Sequence, residues 1–151
     1  MTSQLKQRIQ EDVTVAMRAR DKPRLGALRL VTAAIKQIEV DTRAELDDRG
    51  AISALEKMLK QRRDSLAQYE AAGRQDLADQ ETFEMRIIES YMPEPLSADE
   101  IEALVDAAIA EAGAESMRDM GKVMGLVKSR VQGRADLGAV SASIKAKLSG
   151  G

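Results

Sequence analysis

Two glycines four residues apart, Gly121 and Gly125, lie in the stretch Ser116-Met117-Arg118-Asp119-Met120-Gly121-Lys122-Val123-Met124-Gly125, with Lys122 beside Gly121 and one helical turn after Arg118, so that the two cations can flank the glycine patch or stand as an ordinary solvated pair. Glycine inside a helix costs about 1 kcal/mol relative to alanine. The pair therefore marks a face that another backbone approaches closely, either a neighbouring helix or a nucleic-acid strand. Gly133-Arg134-Ala135-Asp136 follows, with Lys128 between the two motifs. There the Arg134 guanidinium and the amides of Leu137 and Gly138 could together hold a phosphate, or the four residues could form an ordinary turn and cap. Both stretches offer binding chemistry, and the chain offers little reaction chemistry beside it.

Catalytic options are narrow because the chain has no histidine and no cysteine. Serine–histidine and cysteine–histidine nucleophilic catalysis and any zinc site built on those ligands are excluded. Carboxylate and lysine chemistry, or a hard metal on oxygen ligands, remains. The closest acidic pairs, Asp47-Asp48 and Asp99-Glu100, are adjacent residues that point to different helical faces or sit in a loop without calcium-loop spacing. We assign no catalytic residue, metal or cofactor. The absence of cysteine carries no sign of an oxidising compartment, and there is neither an apolar run long enough to span a membrane nor a signal-peptide pattern, so a cytoplasmic protein is expected, without membrane contact.

The elements that position these residues are all helical. Among 151 residues only Phe83, Tyr69 and Tyr91 are aromatic, so the core must be built from Leu, Ile, Val, Ala and eight Met, a mixture that favours helices. Leu5, Ile9, Val13, Ala16 and Met17 form a first stripe, ending near Asp21-Lys22-Pro23. From about Arg24 to Val40, Leu25, Leu28, Leu30, Val31, Ala34, Ile35 and Ile38 cover more than one face, which predicts the most buried helix of the first half, a central strut. Asp41 to Gly50 reads as a loop. A long third helix from Ile52 stops at Gly73, and a fourth runs to Met92, where Pro93-Glu94-Pro95 forces an extended connector. Ser97 and Glu100 form a capping box opening a helix to Gly113, a further helix opens at Ser116 and ends near Gly133, and Asp136 caps the last, with Ser149-Gly150-Gly151 fraying. The plan is an N-terminal helical domain of two hairpins over residues 1–92, a connector over 93–96 and a three-helix bundle over 97–151.

Charge is uneven along this plan although the total is only minus two. Residues 1–36 hold eight basic and three acidic side chains, residues 37–92 eight and thirteen. Residues 93–114 carry six acids and no base, and residues 115–151 seven bases and three acids. The last helices thus offer either a phosphate-binding face or partners for the acidic helix beside them. In the first domain, Lys60, Arg62 and Arg63 read as solvated charges, with Arg62 able to pair with Glu84 or Glu89. Arg29 and Lys36 are candidates to line the groove between the two hairpins, and Arg74 to close the turn after Gly73 by bonding the last helical carbonyls.

Lys60-Gln61-Arg62-Arg63-Asp64-Ser65, Ala72-Gly73-Arg74-Gln75-Asp76-Leu77, Glu89-Ser90-Tyr91-Met92-Pro93, Asp119-Met120-Gly121-Lys122-Val123-Met124-Gly125 and Gly133-Arg134-Ala135-Asp136 together resemble the GatB/YqeY family, in its stand-alone YqeY-like form, over nearly the whole chain. The resemblance implies a helical N-terminal domain and a three-helix tail similar to that of the GatB subunit of glutamine-dependent, tRNA-dependent amidotransferase, where the tail helps to hold tRNA. It also implies a link to carbon–nitrogen ligases with glutamine as amide donor, although neither the cradle of GatB nor the amidase signature of its partner has a counterpart here. Asp136 stands where GatB tails often have asparagine, and a carboxylate at that helix start repels phosphate.

The candidate nucleic-acid-binding residues are Arg118, Gly121, Lys122, Gly125, Lys128, Arg134 and Arg74. The first functional expectation is a tRNA-associated accessory protein that reads the RNA backbone, since few aromatics are available to stack on bases. The second is an adaptor docking on an amidotransferase or aminoacyl-tRNA synthetase through Met117, Met120 and Met124, which exposure of those residues would favour. The third, independent amide transfer, is the poorest, because Ser65, Ser90, Ser116 and Ser141 have no recognisable activating partner.

Overall fold

In the computed structural model, residues 3–150 are described; of the three residues expected to fray, Ser149 is the last of the final helix, the Gly150 amide bonds back to the Ala146 carbonyl at 2.9 Å, and Gly151 lies outside the described residues. The chain is all-helical and divides between Met92 and Pro93 into two compact units.

The first unit holds α1 (Gln4–Arg18), α2 (Lys22–Thr42), α3 (Asp48–Ala71) and α4 (Gln75–Glu89), with α1 packed on α2 and α3 on α4. Each start is capped by a side chain where the sequence supplies one. Ser3 accepts from the Lys6 amide at 3.2 Å, Asp21 from Arg24 at 3.3 Å, and Asp47 from Gly50 at 2.8 Å. The Asp47 cap starts α3 inside the stretch expected to be loop, so the loop is shorter than the sequence reading. Gly73 adopts φ 71°, and the Arg74 amide reaches back to the Tyr69 carbonyl at 2.8 Å, which ends α3.

The core of this unit centres on Ile9, Leu28, Val31, Leu55 and Ile88. Helix α2 touches each of the other three helices of this unit, as a central strut does, but it is not the most buried of them. Leu30 and Val40 are 46% and 59% exposed, because the apolar residues of α2 wrap further around it than its neighbours can cover. The helix burying the longer run is α3, with Ala51, Ala54, Leu55, Met58 and Leu59 inside.

Polar contacts fix which helix meets which. The Ser3 hydroxyl donates to the Asp48 carboxylate, which also accepts from the Leu5 amide at 3.1 Å, joining the starts of α1 and α3. The Tyr91 hydroxyl donates to Asp12, its ring lies 4.8 Å beneath the Arg8 guanidinium, and Arg8 donates to the Ser90 carbonyl at 3.0 Å. Burial and the neighbouring Asp12 carboxylate raise the Tyr91 pKa, so the phenol stays a proton donor. Tyr91 is thus the bolt between α1 and the end of α4. Arg62 on α3 pairs with Glu84 of α4 and with Glu81 at 3.2 Å, all three side chains being largely buried.

The second unit holds α5 (Ala98–Ala112), a 3₁₀ turn (Met117–Asp119), α6 (Met120–Val131) and α7 (Leu137–Ser149) around Val105, Val123, Val127, Val131, Val140 and Ile144. Ser97 and Glu100 form the expected capping box and Gly113 closes α5 at φ 63°.

Removing one member of the Arg62 pair leaves a carboxylate buried without its counter-charge. Arg62→Met should lower unfolding free energy by about 3 kcal/mol, and adding Glu84→Met should recover part of that loss. Urea titrations of the two variants check this, and an unchanged midpoint in Arg62→Met would show that the pair contributes nothing.

Candidate nucleic-acid interface

The rotation of α6 is set by Val123, Val127 and Val131, which recur every four residues and are fully buried. At 3.6 residues per turn the opposite side carries Gly121, Gly125 and Ser129, flanked by Lys122 on one side and Lys128 on the other. All five are exposed. A Cβ added at Gly121 or Gly125 would meet nothing within 4 Å. The glycines therefore make no room for a helix inside their own unit, and they present bare helical backbone between two cations.

The basic residues of this unit fall into two groups. Arg130 pairs with Glu111, and Lys147 with Glu102 at 3.2 Å and Asp106 at 2.7 Å, so α5 neutralises the inner part of the basic surface. The two carboxylates raise the Lys147 pKa and hold it charged. Lys122, Lys128, Lys145 and Arg118 are in no ion pair among the described residues.

Three of the sequence-derived candidates are placed differently from expectation. Arg118 belongs to the 3₁₀ turn, and Asp119 at φ −91°, ψ 2° breaks α geometry before α6, so Arg118 and Lys122 are not stacked one α-turn apart. Asp119 itself accepts from the amides of Glu115 at 3.0 Å and Ser116 at 3.4 Å. Those bonds, with Lys122 and Arg118 nearby, lower its pKa. Arg134 is engaged elsewhere. Its Nε donates to the Glu94 carbonyl at 2.9 Å, and its own carbonyl accepts from the Leu96 amide at 2.8 Å, which fastens the Pro-containing segment to the end of α6. The Gly138 amide is taken by Asp136 at 3.2 Å. The expected phosphate grip of Arg134 with the amides after Asp136 is thus not formed, since a local carboxylate and a chain carbonyl already use those donors.

Arg74 lies in the first unit, and its guanidinium holds Asp76 at 3.0 and 3.2 Å rather than the helical carbonyls expected of it. The turn is closed by its backbone amide instead. Of the three methionines expected on a docking surface, only Met117 is open, at 39%, while Met120 and Met124 pack on the core. Among the described residues no group of acidic side chains is arranged to hold a metal ion, and no helix is long and apolar enough to cross a membrane.

The sequence matches the family described as Yqey-like protein over residues 6–148, which takes in the whole of this interface. Relatives share the name "Altered inheritance of mitochondria protein 41, mitochondrial". That of Pyrenophora tritici-repentis is 32% identical over 130 residues, covering 85% of this chain and 71% of the relative. That of Eremothecium gossypii is 35% identical over 106 residues, covering 68% and 58%. That of Saccharomyces cerevisiae (strain YJM789) is 31% identical over 114 residues, covering 71% and 62%. The chain thus spans less than two thirds of the length of two of these three. Their names overturn the expectation of a cytoplasmic protein. A lack of cysteine and of a spanning helix reports on redox chemistry and membrane burial, and neither specifies a compartment.

Two measurements test the local physics. Gly125→Ala fills open space in a helix interior, so it should stabilise the second unit by about 1 kcal/mol; thermal unfolding followed by circular dichroism reads this, and a loss of stability would mean that the position is packed. Asp119 is held ionised by its two amide bonds, so its contribution is complete above its ordinary pKa of 3.8 and is lost as pH falls through the lowered folded value. Asp119→Asn should therefore flatten the acid limb of the stability curve and leave the neutral region's pH dependence unchanged.

Proposed function

We propose, from the premise that the chain belongs to the YqeY-like family, that it is an accessory protein whose second unit binds the backbone of folded RNA, tRNA foremost, through the outer face of α6. The observation that carries this reading is the exposed Gly121–Gly125 strip between Lys122 and Lys128, where no side chain stands between a phosphate and the helix. A sugar–phosphate strand needs close approach and positive charge, and makes no demand for aromatic stacking or an apolar pocket. The strip has these properties. The resemblance of the tail to a tRNA-holding domain supports the choice of tRNA. The reading gives the unit a binding role and places amide transfer, where it occurs, with the enzyme that it accompanies.

Docking on an amidotransferase or aminoacyl-tRNA synthetase through a methionine surface is less well supported, since Met120 and Met124 are committed to the core. Unmodified tRNA should bind the purified chain at low salt and weaken as salt rises. The double variant Lys122→Ala/Lys128→Ala should bind about tenfold less tightly, with a shallower salt dependence by roughly two charges. Gly125→Leu, which nothing in the fold opposes, should weaken binding comparably by covering the strip. No binding at 50 mM salt, or wild-type binding by both variants, would overturn the reading.

A further inference from the structure

A second cationic surface lies in the first unit and has a different character. Between α1 and α2, within the first hairpin rather than between the two hairpins as expected, runs an open groove of about 610 Å³ whose lining is mostly apolar, with Ala33 exposed in it and Ile9 and Ile35 buried beneath. Arg29 and Lys36 stand on its α2 wall, both exposed and in no hydrogen bond or ion pair among the described residues. They are seven residues apart, hence on one helical face and about 10 Å apart along the axis. The Lys6–Glu39 pair lies in the lining, so the one carboxylate among the described lining residues is already matched. Apolar surface continues past both ends: Val40, one turn beyond Lys36 on its face, is 59% exposed, and Met17, two turns beyond Gln10 on α1, is 52% exposed.

We infer that this groove is a docking site for an acidic amphipathic helix of a partner protein. An apolar trough between two helices, longer than it is deep, receives the apolar stripe of a third helix. The charge pattern selects the sign and the register. Acids at positions i and i+7 of the incoming helix lie two turns apart, as Arg29 and Lys36 do, and apolar residues at i+3 and i+4 then fall on Ala33, Ile9 and Ile35. RNA fits less well, because the floor between the cations is hydrocarbon and offers no donor to a phosphate strand. The site is independent of the α6 strip, and either can stand without the other.

The probe is a synthetic helical peptide with Glu at i and i+7 and Leu at i+3, i+4 and i+11, titrated into the full ¹⁵N-labelled chain beside a peptide with Lys in place of Glu. The acidic peptide should shift amides within residues 6–10 and 29–40, and the Lys peptide should bind at least tenfold more weakly. Arg29→Glu/Lys36→Glu should weaken the acidic peptide tenfold or more, and Ala33→Trp, which fills the trough without altering charge, should do the same. Lys122→Ala/Lys128→Ala should leave the peptide unaffected. No binding at millimolar peptide, equal binding of both peptides, shifts outside the two segments, or displacement of the peptide by tRNA from this groove would each overturn the inference.

Discussion

Burial of Val123, Val127 and Val131 on one side of α6 leaves that helix no choice about what it shows to solvent. A β-branched residue at every fourth position makes a narrow, stiff ridge, and seating it against Val105, Val140 and Ile144 fixes the rotation of the helix. Everything on the far side is then determined: two glycines in a line, a serine, and a lysine on each flank. The acidic α5 consumes Arg130 and Lys147, and Lys122 and Lys128 are left unmatched beside the bare backbone. The candidate interface is thus a by-product of core packing.

In the first unit the dependence runs through polar bolts, because a core with so few aromatics gives little directional information. Tyr91 to Asp12 and Ser3 to Asp48 join segments far apart in sequence, and Arg62 to Glu84 joins the consecutive α3 and α4. The opposed charges of the two halves are partly resolved in this way, Lys6 and Glu39 being one such match across them. Arg29 and Lys36 are left over on the solvent side of α2. That helix carries more apolar residues than it can bury, and the surplus is what gives the α1–α2 groove its apolar floor and its exposed ends.

How much of this was legible follows from the range of each interaction. Local signals read correctly: Ser97 with Glu100, the stops at Gly73 and Gly113, and the cap at Asp136 all involve residues within about four positions. The Asp47 cap was equally local but hidden by a polar neighbourhood that resembles a loop. The Arg134 to Glu94 bond spans 40 residues, and no local pattern announces it. Arg62 read either as a solvated cation or as a partner of Glu84 or Glu89, because helical periodicity does not say which residue of a neighbouring helix lies opposite, and the fold selects Glu84. The Gly121–Gly125 spacing was visible, yet whether it faces inward or outward depends on which of two adjacent stripes is buried. That was decided by the valines.

The two cationic surfaces differ in the property that separates ligand classes. Lysine beside bare backbone rewards a ligand whose charge is dense and whose contacts are all polar, since nothing apolar is available to be covered. Lysine and arginine beside Ile9, Ala33 and Ile35 reward a ligand that can cover hydrocarbon while presenting carboxylates at its edge. Placing a phosphate strand in the α1–α2 groove would leave its floor wet, and placing an apolar helix on α6 would find two glycines with nothing to grip. Chemical complementarity therefore separates the classes of ligand that the two surfaces favour even though both carry the same sign of charge.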